Sequence, residues 1–296
     1  MLTCRDLPGW ADDDLDLALQ TYCRTADLLP PEWPRPGKDS AEAFFETQFS
    51  PCPAPQPALL TGYFEPVLAG SLKPEPPYHF PLYALPDGFG ADGYRPSRAE
   101  ITKGDLLRGS ELVWLVDPLE AYLAQVQGSI RVRLPDGSLR RYGYAGKNGW
   151  PYHSIGAELV QRGAIAADGL TLAAIRDWAA RHPADLPDLL LTNPSFVFFR
   201  QLDLDASSGP IGAMNRPVTA FRSLAVDPAY IPLGAPVWVE GGGFSSLMIA
   251  QDVGSAIKGA GRGDIFCGSG AEAGDQAGAL RAKGRLVVFW PKGLAR

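Results

Sequence analysis

The chain has 296 residues, 46% of them hydrophobic and 20% charged, with a formal net charge of −6. That length allows one large domain or two ordinary ones, and the acidic balance argues against a nucleic-acid partner, which would leave a basic footprint. No run approaches the roughly 18–20 apolar residues of a membrane-spanning helix, while 33 glycines and 28 prolines without low-complexity runs favour a β-rich protein with many turns.

In chain order, the acidic run Asp12-Asp-Asp14 suits a helix N-terminus, and apolar positions at helical spacing carry that helix to Cys23. A Pro-rich break runs from Leu29 to Pro36. Asp39-Ser-Ala-Glu42 reads as a capping box opening a second helix through Phe44 and Phe45. After another Pro-rich connector over 50–57, Ala58 to Glu65 reads as a strand. Its period of two places Thr61, Tyr63 and Glu65 on one face.

A Pro/Gly-rich stretch follows to Pro96, with a strand-like piece at Phe80-Pro-Leu-Tyr-Ala. Ser97-Arg-Ala-Glu100 is a further helix cap, and Leu112 to Val116 a strand. Ser129 to Leu134 and Leu139 to Tyr144 form a hairpin around Pro135-Asp-Gly-Ser138. Its Arg131 and Arg133 share one face, read as solvated. The loop Ala145 to Gly156 holds Lys147, Asn148, Trp150, Tyr152 and Ser154, a mixture of donors and aromatics suited either to sugar recognition or to simple anchoring. Helices over 156–162, 171–182 and 183–191 lead into a strand-like run, Asn193 to Arg200. After Gly209 the chain reads as β throughout, with pieces at 218–226, 235–240, 247–250 and 285–290 joined by turns, as in a compact barrel.

The chemistry narrows by type. Four cysteines (Cys4, Cys23, Cys52, Cys267) and three histidines show no metal-ligand spacing, so neither a metal nor another cofactor is expected. Cys4 and Cys23 could pair in an oxidising compartment. There is no G-x-S-x-G, no Walker A motif, and no helical pattern after Gly259-Ala-Gly-Arg-Gly263 to support phosphate binding. Carboxylate chemistry remains. The apolar run Leu247 to Ala250 delivers Asp252 at a strand end; Lys258 and glycines 254, 259, 261 and 263 follow, then Asp264 before Ile265-Phe266. Asp264 is the candidate acid of a catalytic loop; the competing account is a hairpin with solvated aspartates.

Six blocks, in order, resemble the MltA family of membrane-bound lytic murein transglycosylases: Thr61-Gly-Tyr-Phe-Glu-Pro, Val126-Gln-Gly-Ser, Tyr144-Ala-Gly-Lys-Asn-Gly, Asn193-Pro-Ser-Phe-Val-Phe-Phe, Ala225-Val-Asp-Pro with Ile231-Pro-Leu-Gly, and Asp252-Val-Gly-Ser-Ala-Ile-Lys-Gly with Gly263-Asp-Ile-Phe. The last two resemble its 3D domain. The resemblance implies a mainly β protein: a double-psi β-barrel domain built from both chain ends (1–66 and 203–296), a smaller inserted β-domain (67–202), a few helices, and a substrate groove between the domains. It implies exolytic cleavage of the β-1,4 bond between N-acetylmuramic acid and N-acetylglucosamine in peptidoglycan, leaving 1,6-anhydro ends. Asp264 would be acid and then base, and Asp252 its charge partner. Asp227 would be structural. Lys258 would hold the loop through Asp252 or contact substrate. Thr61, Tyr63, Glu65, Gln127, Gly128, Ser129, Lys147, Asn148 and Ser154 would line the groove. Glycan strands are the expected partner of a monomer in the periplasm, lipid-anchored to the outer membrane in its native precursor, although the N-terminus shows no apolar signal core. An endoglucanase-like hydrolase and a non-catalytic peptidoglycan binder are the alternatives.

Overall fold

The computed structural model describes residues 2–55, 57–91, 93–205 and 208–294, and the chain divides into two compact units: residues 1–64 with 207–296, and residues 65–206.

The first unit begins with helices α1 (Leu15–Ala26) and α2 (Ala41–Gln48), followed by strands β1 (Phe49–Pro53) and β2 (Ala58–Glu65), the last residue of which lies in the second unit. The N-cap of α2 is Ser40, which accepts from the Ala43 amide at 3.2 Å, one residue beyond the expected Asp39. The two helices converge on an aromatic cluster in which Tyr22 packs against Phe44, Phe45 and Phe49 at 5.6–6.3 Å. Cys4 and Cys23 are free thiols here, one buried and one exposed, so the pairing that the sequence left open is not formed.

The second unit contains β3 (Val67–Ser71), β4 (Phe80–Tyr83), α3 (Arg98–Lys103), β5 (Glu111–Leu115), α4 (Pro118–Gln127), β6 (Ser129–Arg133), β7 (Leu139–Lys147), α5 (Ile155–Gln161), α6 (Leu172–Arg181), α7 (Leu186–Leu191) and β8 (Val197–Leu202). Its strands form a sheet in the order β4-β5-β3-β6-β7-β8. One face packs Ile130, Val132, Tyr142 and Phe199 into a core with α4. Sequence reading passed over α4, although Asp117 caps it through the Glu120 amide (2.9 Å) and Pro118 occupies its first turn, where a missing N–H costs nothing. Arg131 is not solvated as expected. With Arg141 it clamps the fully buried carboxylate of Glu65, at 2.6 and 3.0 Å. Arg133, two residues on, is exposed.

The chain then returns to the first unit with β9 (Ser223–Ala225), β10 (Pro236–Gly241), β11 (Phe244–Asp252), β12 (Arg262–Ser269), α8 (Ala271–Ala279) and β13 (Arg281–Pro291). The strands run β1-β13-β10-β11-β9-β12-β2, and β2 also pairs with β13, so six of them close into a ring without free edges. Within it β9 and β11 are parallel. Two expectations fail here. The strand expected over 218–226 shrinks to Ser223–Ala225 because Phe221 adopts φ +54° and turns the chain. The region is not β throughout either. Ala271-Glu-Ala-Gly-Asp-Gln-Ala-Gly-Ala forms a helix despite its two glycines, its alanines favouring helix and burying Ala273 and Ala277. Trp238 of β10 and Phe289 of β13 are fully buried and pack against Trp10, with ring centroids 5.5 and 5.6 Å from it.

Candidate active site

Three strands of the first unit bring the chemistry together. The period of β2 puts Thr61 and Tyr63 on one face, and each hydroxyl donates to a different carboxylate. Thr61 Oγ1 meets Asp264 Oδ1 at 2.5 Å, and Tyr63 Oη meets Asp252 Oδ2 at 2.8 Å. Asp264 lies on β12, next to β2, between the buried residues Gly263 and Ile265. Asp252 ends β11. That strand is held by Gln251, whose buried amide donates to Thr21 O and Thr25 Oγ1 of α1 and accepts from Ser223 Oγ at 2.6 Å. The Tyr63 ring packs on Phe266 with centroids 5.2 Å apart, so its hydroxyl is aimed by packing as well as by hydrogen bonding.

The two carboxyl groups are tuned differently. Burial pushes Asp264 up to about 6, and Asp252 adds to the rise; the Thr61 hydrogen bond and the Arg262 charge oppose it. Asp252 is also raised by burial, but three donors favour its anion: Tyr63, the Val253 amide at 2.9 Å and the Ala213 amide at 3.0 Å. Burial and the nearby Asp252 push the Tyr63 phenol well above its ordinary value, keeping it a donor. Both aspartates retain partial exposure. Asp264 Oδ2 has no donor among the described residues. An acid that keeps its proton to about pH 6, beside a second carboxylate supported as an anion, can protonate a leaving oxygen and take a proton back.

Asp227 is structural in position: its carboxylate accepts from the amides of Ala229 (3.2 Å) and Gly259 (2.8 Å), and these bonds hold it below its usual range. Gly259 has φ +94°, a conformation that a side chain would strain. Lys258 is exposed and its charge acts on Asp227, not on Asp252. The expected Lys258–Asp252 tether is therefore absent. The Gly-rich loop is pinned through Asp227 instead.

The residues expected in the second unit divide between framework and surface. Asn148 is 1% exposed; its amide donates to the carbonyls of Pro96 and Pro194, and its oxygen accepts from the Phe196 amide. Glu65 is consumed by Arg131 and Arg141. Gly128 ends α4 at φ +75°, Ser129 is buried behind it and Gln127 half-buried before it, while Ser154 caps α5 through the Ala157 amide at 3.2 Å. Lys147 is exposed, and Trp150, also exposed, is locked by its indole N–H on the Arg95 carbonyl at 2.7 Å. Sequence reasoning missed Arg262 and the Ala213 amide. Arg262 was open to discovery, since it stands two residues before Asp264 on the same strand face.

Comparison with known proteins gives the family. Residues 59–200 match the model of the MltA specific insert domain, and residues 222–290 that of the 3D domain. The membrane-bound lytic murein transglycosylase A of Escherichia coli K12 is 37% identical over 243 residues, 77% of this chain and 64% of that protein; the chain thus spans somewhat less than two thirds of its curated relative. The crystal structure of a membrane-bound lytic murein transglycosylase from Agrobacterium tumefaciens superposes with a TM-score of 0.86 at 30% identity, covering 98% of this chain and 97% of that one. That of E. coli MltA with bound chitohexaose superposes at 0.74 and 29% identity, covering 97% and 87%. The chain belongs to the MltA family of membrane-bound lytic murein transglycosylases.

Proposed function

We propose that this protein is a peptidoglycan lytic transglycosylase in which Asp264 is the single acid and base. Asp264 protonates the oxygen of the β-1,4 bond between N-acetylmuramic acid and N-acetylglucosamine, and the bond from that oxygen to the muramyl anomeric carbon breaks. The muramyl C6 hydroxyl attacks the same carbon and gives its proton to Asp264. A 1,6-anhydro end forms, no water is consumed, and the acid is restored. Holding the C6 hydroxyl within the same sugar supplies the nucleophile by proximity. A hydrolase would need a second carboxylate as nucleophile or base. Asp252 is poorly suited to that, because three donors already engage it. It serves as the charge that helps Asp264 keep its proton.

The observation carrying this reading is the partly exposed Asp264, raised to about 6 and donated to by Thr61 on one oxygen only. Chitohexaose in the E. coli relative supports a chain of N-acetylhexosamines as the ligand class. Thr61 and Tyr63 align the acids, and the exposed Lys258 is free to contact glycan; Lys147, exposed in the second unit, is a further glycan contact of this reading. We read the closed six-stranded ring as a double-psi barrel. Exolytic action on the wall in the periplasm, from an outer-membrane anchor, completes the proposal. Mass spectrometry of digested sacculi tests it: anhydro-muropeptides are expected, and reducing ends alone would identify a hydrolase. An Asp264→Asn protein that binds sacculi but releases nothing is expected; soluble products from it would remove Asp264 as the acid.

A further inference from the structure

Thr61 has one hydroxyl hydrogen and two neighbours competing to orient it. Its oxygen lies 2.5 Å from Asp264 Oδ1 and 3.2 Å from Arg262 Nη1. A guanidinium can only donate. Thr61 therefore accepts from Arg262 on one lone pair, and its hydrogen is donated to Asp264 Oδ1. Arg262 is itself fixed, because the same Nη1 donates to the Leu59 carbonyl at 3.0 Å. No direct ion pair within 4.0 Å joins Arg262 to Asp264 among the described residues, so its directional influence runs through Thr61. In neutral Asp264, Oδ1 is occupied as an acceptor, and the proton has its place on Oδ2, the oxygen without a donor.

We infer that Arg262, acting through the Thr61 hydroxyl, fixes the acid proton on Oδ2 of Asp264 and is a positioning residue for the acid step; the inference rests on the transglycosylase reading above. The same geometry serves the return step. Oδ1 remains engaged when Asp264 is an anion, so Oδ2 receives the C6 hydroxyl proton, and one oxygen performs both transfers. The groups acting on Asp264 are Asp252 at the end of β11, Arg262 on its own strand and Thr61 from β2. The Cys267 thiol and the Tyr63 phenol feel its charge, and Arg281 on β13 acts on Arg262.

The test uses the full chain on purified sacculi, with kcat and KM followed against pH. The sharp variant is Arg262→Gln, because glutamine can still donate to Leu59 O yet offers an acceptor that competes for the Thr61 hydrogen. It and Thr61→Val are each expected to lower kcat roughly tenfold, part of what an aligned general acid contributes, with KM nearly unchanged. The alkaline limb should move to higher pH in both, since each removes an influence that lowers Asp264. The double variant should be no slower than Thr61→Val alone, and Thr61→Ser should recover the rate. Losses that multiply in the double variant overturn the relay. Should Arg262→Gln fail to fold, Arg262→Lys decides: still only a donor, it should turn over faster than Thr61→Val, and a kcat as low as that variant overturns the inference. If Asp264→Asn is active, the functional reading itself falls; if it is inactive while the losses multiply, only the relay falls.

Discussion

Two carboxylates leave strand β2 and its surroundings with opposite fates. Glu65, at the end of that strand, is fully buried and gripped by two guanidinium groups. Asp264, reached from Thr61 four residues earlier on the strand, has a single hydroxyl donor, an arginine held at one remove, and partial exposure. Clamping a carboxylate between cations makes a structural anchor. Burying one while withholding direct cations makes a group that keeps its proton to about pH 6. The difference between framework and acid lies in how the partners are placed, because both residues are carboxylates in largely protein surroundings.

Breaking that contrast gives the predictions, largest first. Asp264→Asn should cost about 10²–10⁴-fold in kcat while stabilising the protein at pH 8. The sign follows from linkage: with its folded pKa raised to about 6, Asp264 favours the fold fully below its ordinary 3.8 and loses that contribution as pH rises through about 6. The variant should therefore melt higher than wild type at pH 8, with the gain vanishing near pH 4. Glu65→Ala should do the reverse. Leaving Arg131 and Arg141 buried without their anion is expected to destabilise by about 3–5 kcal/mol, read by denaturant titration, and a neutral outcome would mean that the triad relaxes easily. Asp252→Asn should move the alkaline limb of kcat to lower pH, because the charge that helps raise Asp264 is gone. Tyr63→Phe, which keeps the packing on Phe266, should change kcat least, by less than about tenfold for one lost hydrogen bond.

Much of this site was legible in the sequence. Alternation in β2 placed Thr61 and Tyr63 on one face, and the apolar run before Asp252 marked its strand. Glu65 shares that alternation, but whether a carboxylate is clamped depends on Arg131 and Arg141, 66 and 76 residues away, and local periodicity does not report such pairs. The loop around Asn148 suited either sugar recognition or anchoring, and the resemblance put Asn148 in the groove; its three side-chain hydrogen bonds go to backbone from two other segments. Helix α8 was hidden by its glycines and α4 by the strand signals on either side of it. Lys258 was assigned to the nearer aspartate in the motif, whereas the fold brings Asp227 to the loop through a tight turn at Gly259.

The central claim is that Asp264 enters the reaction protonated, and its own titration is the most direct test. Carboxyl resonances of the protein labelled at aspartate, assigned through Asp264→Asn and followed from pH 3 to 9, should show Asp264 titrating near 6, with the alkaline limb of kcat on sacculi at the same midpoint. A midpoint at the ordinary carboxyl value of 3.8, with activity undiminished at neutral pH, would contradict the account.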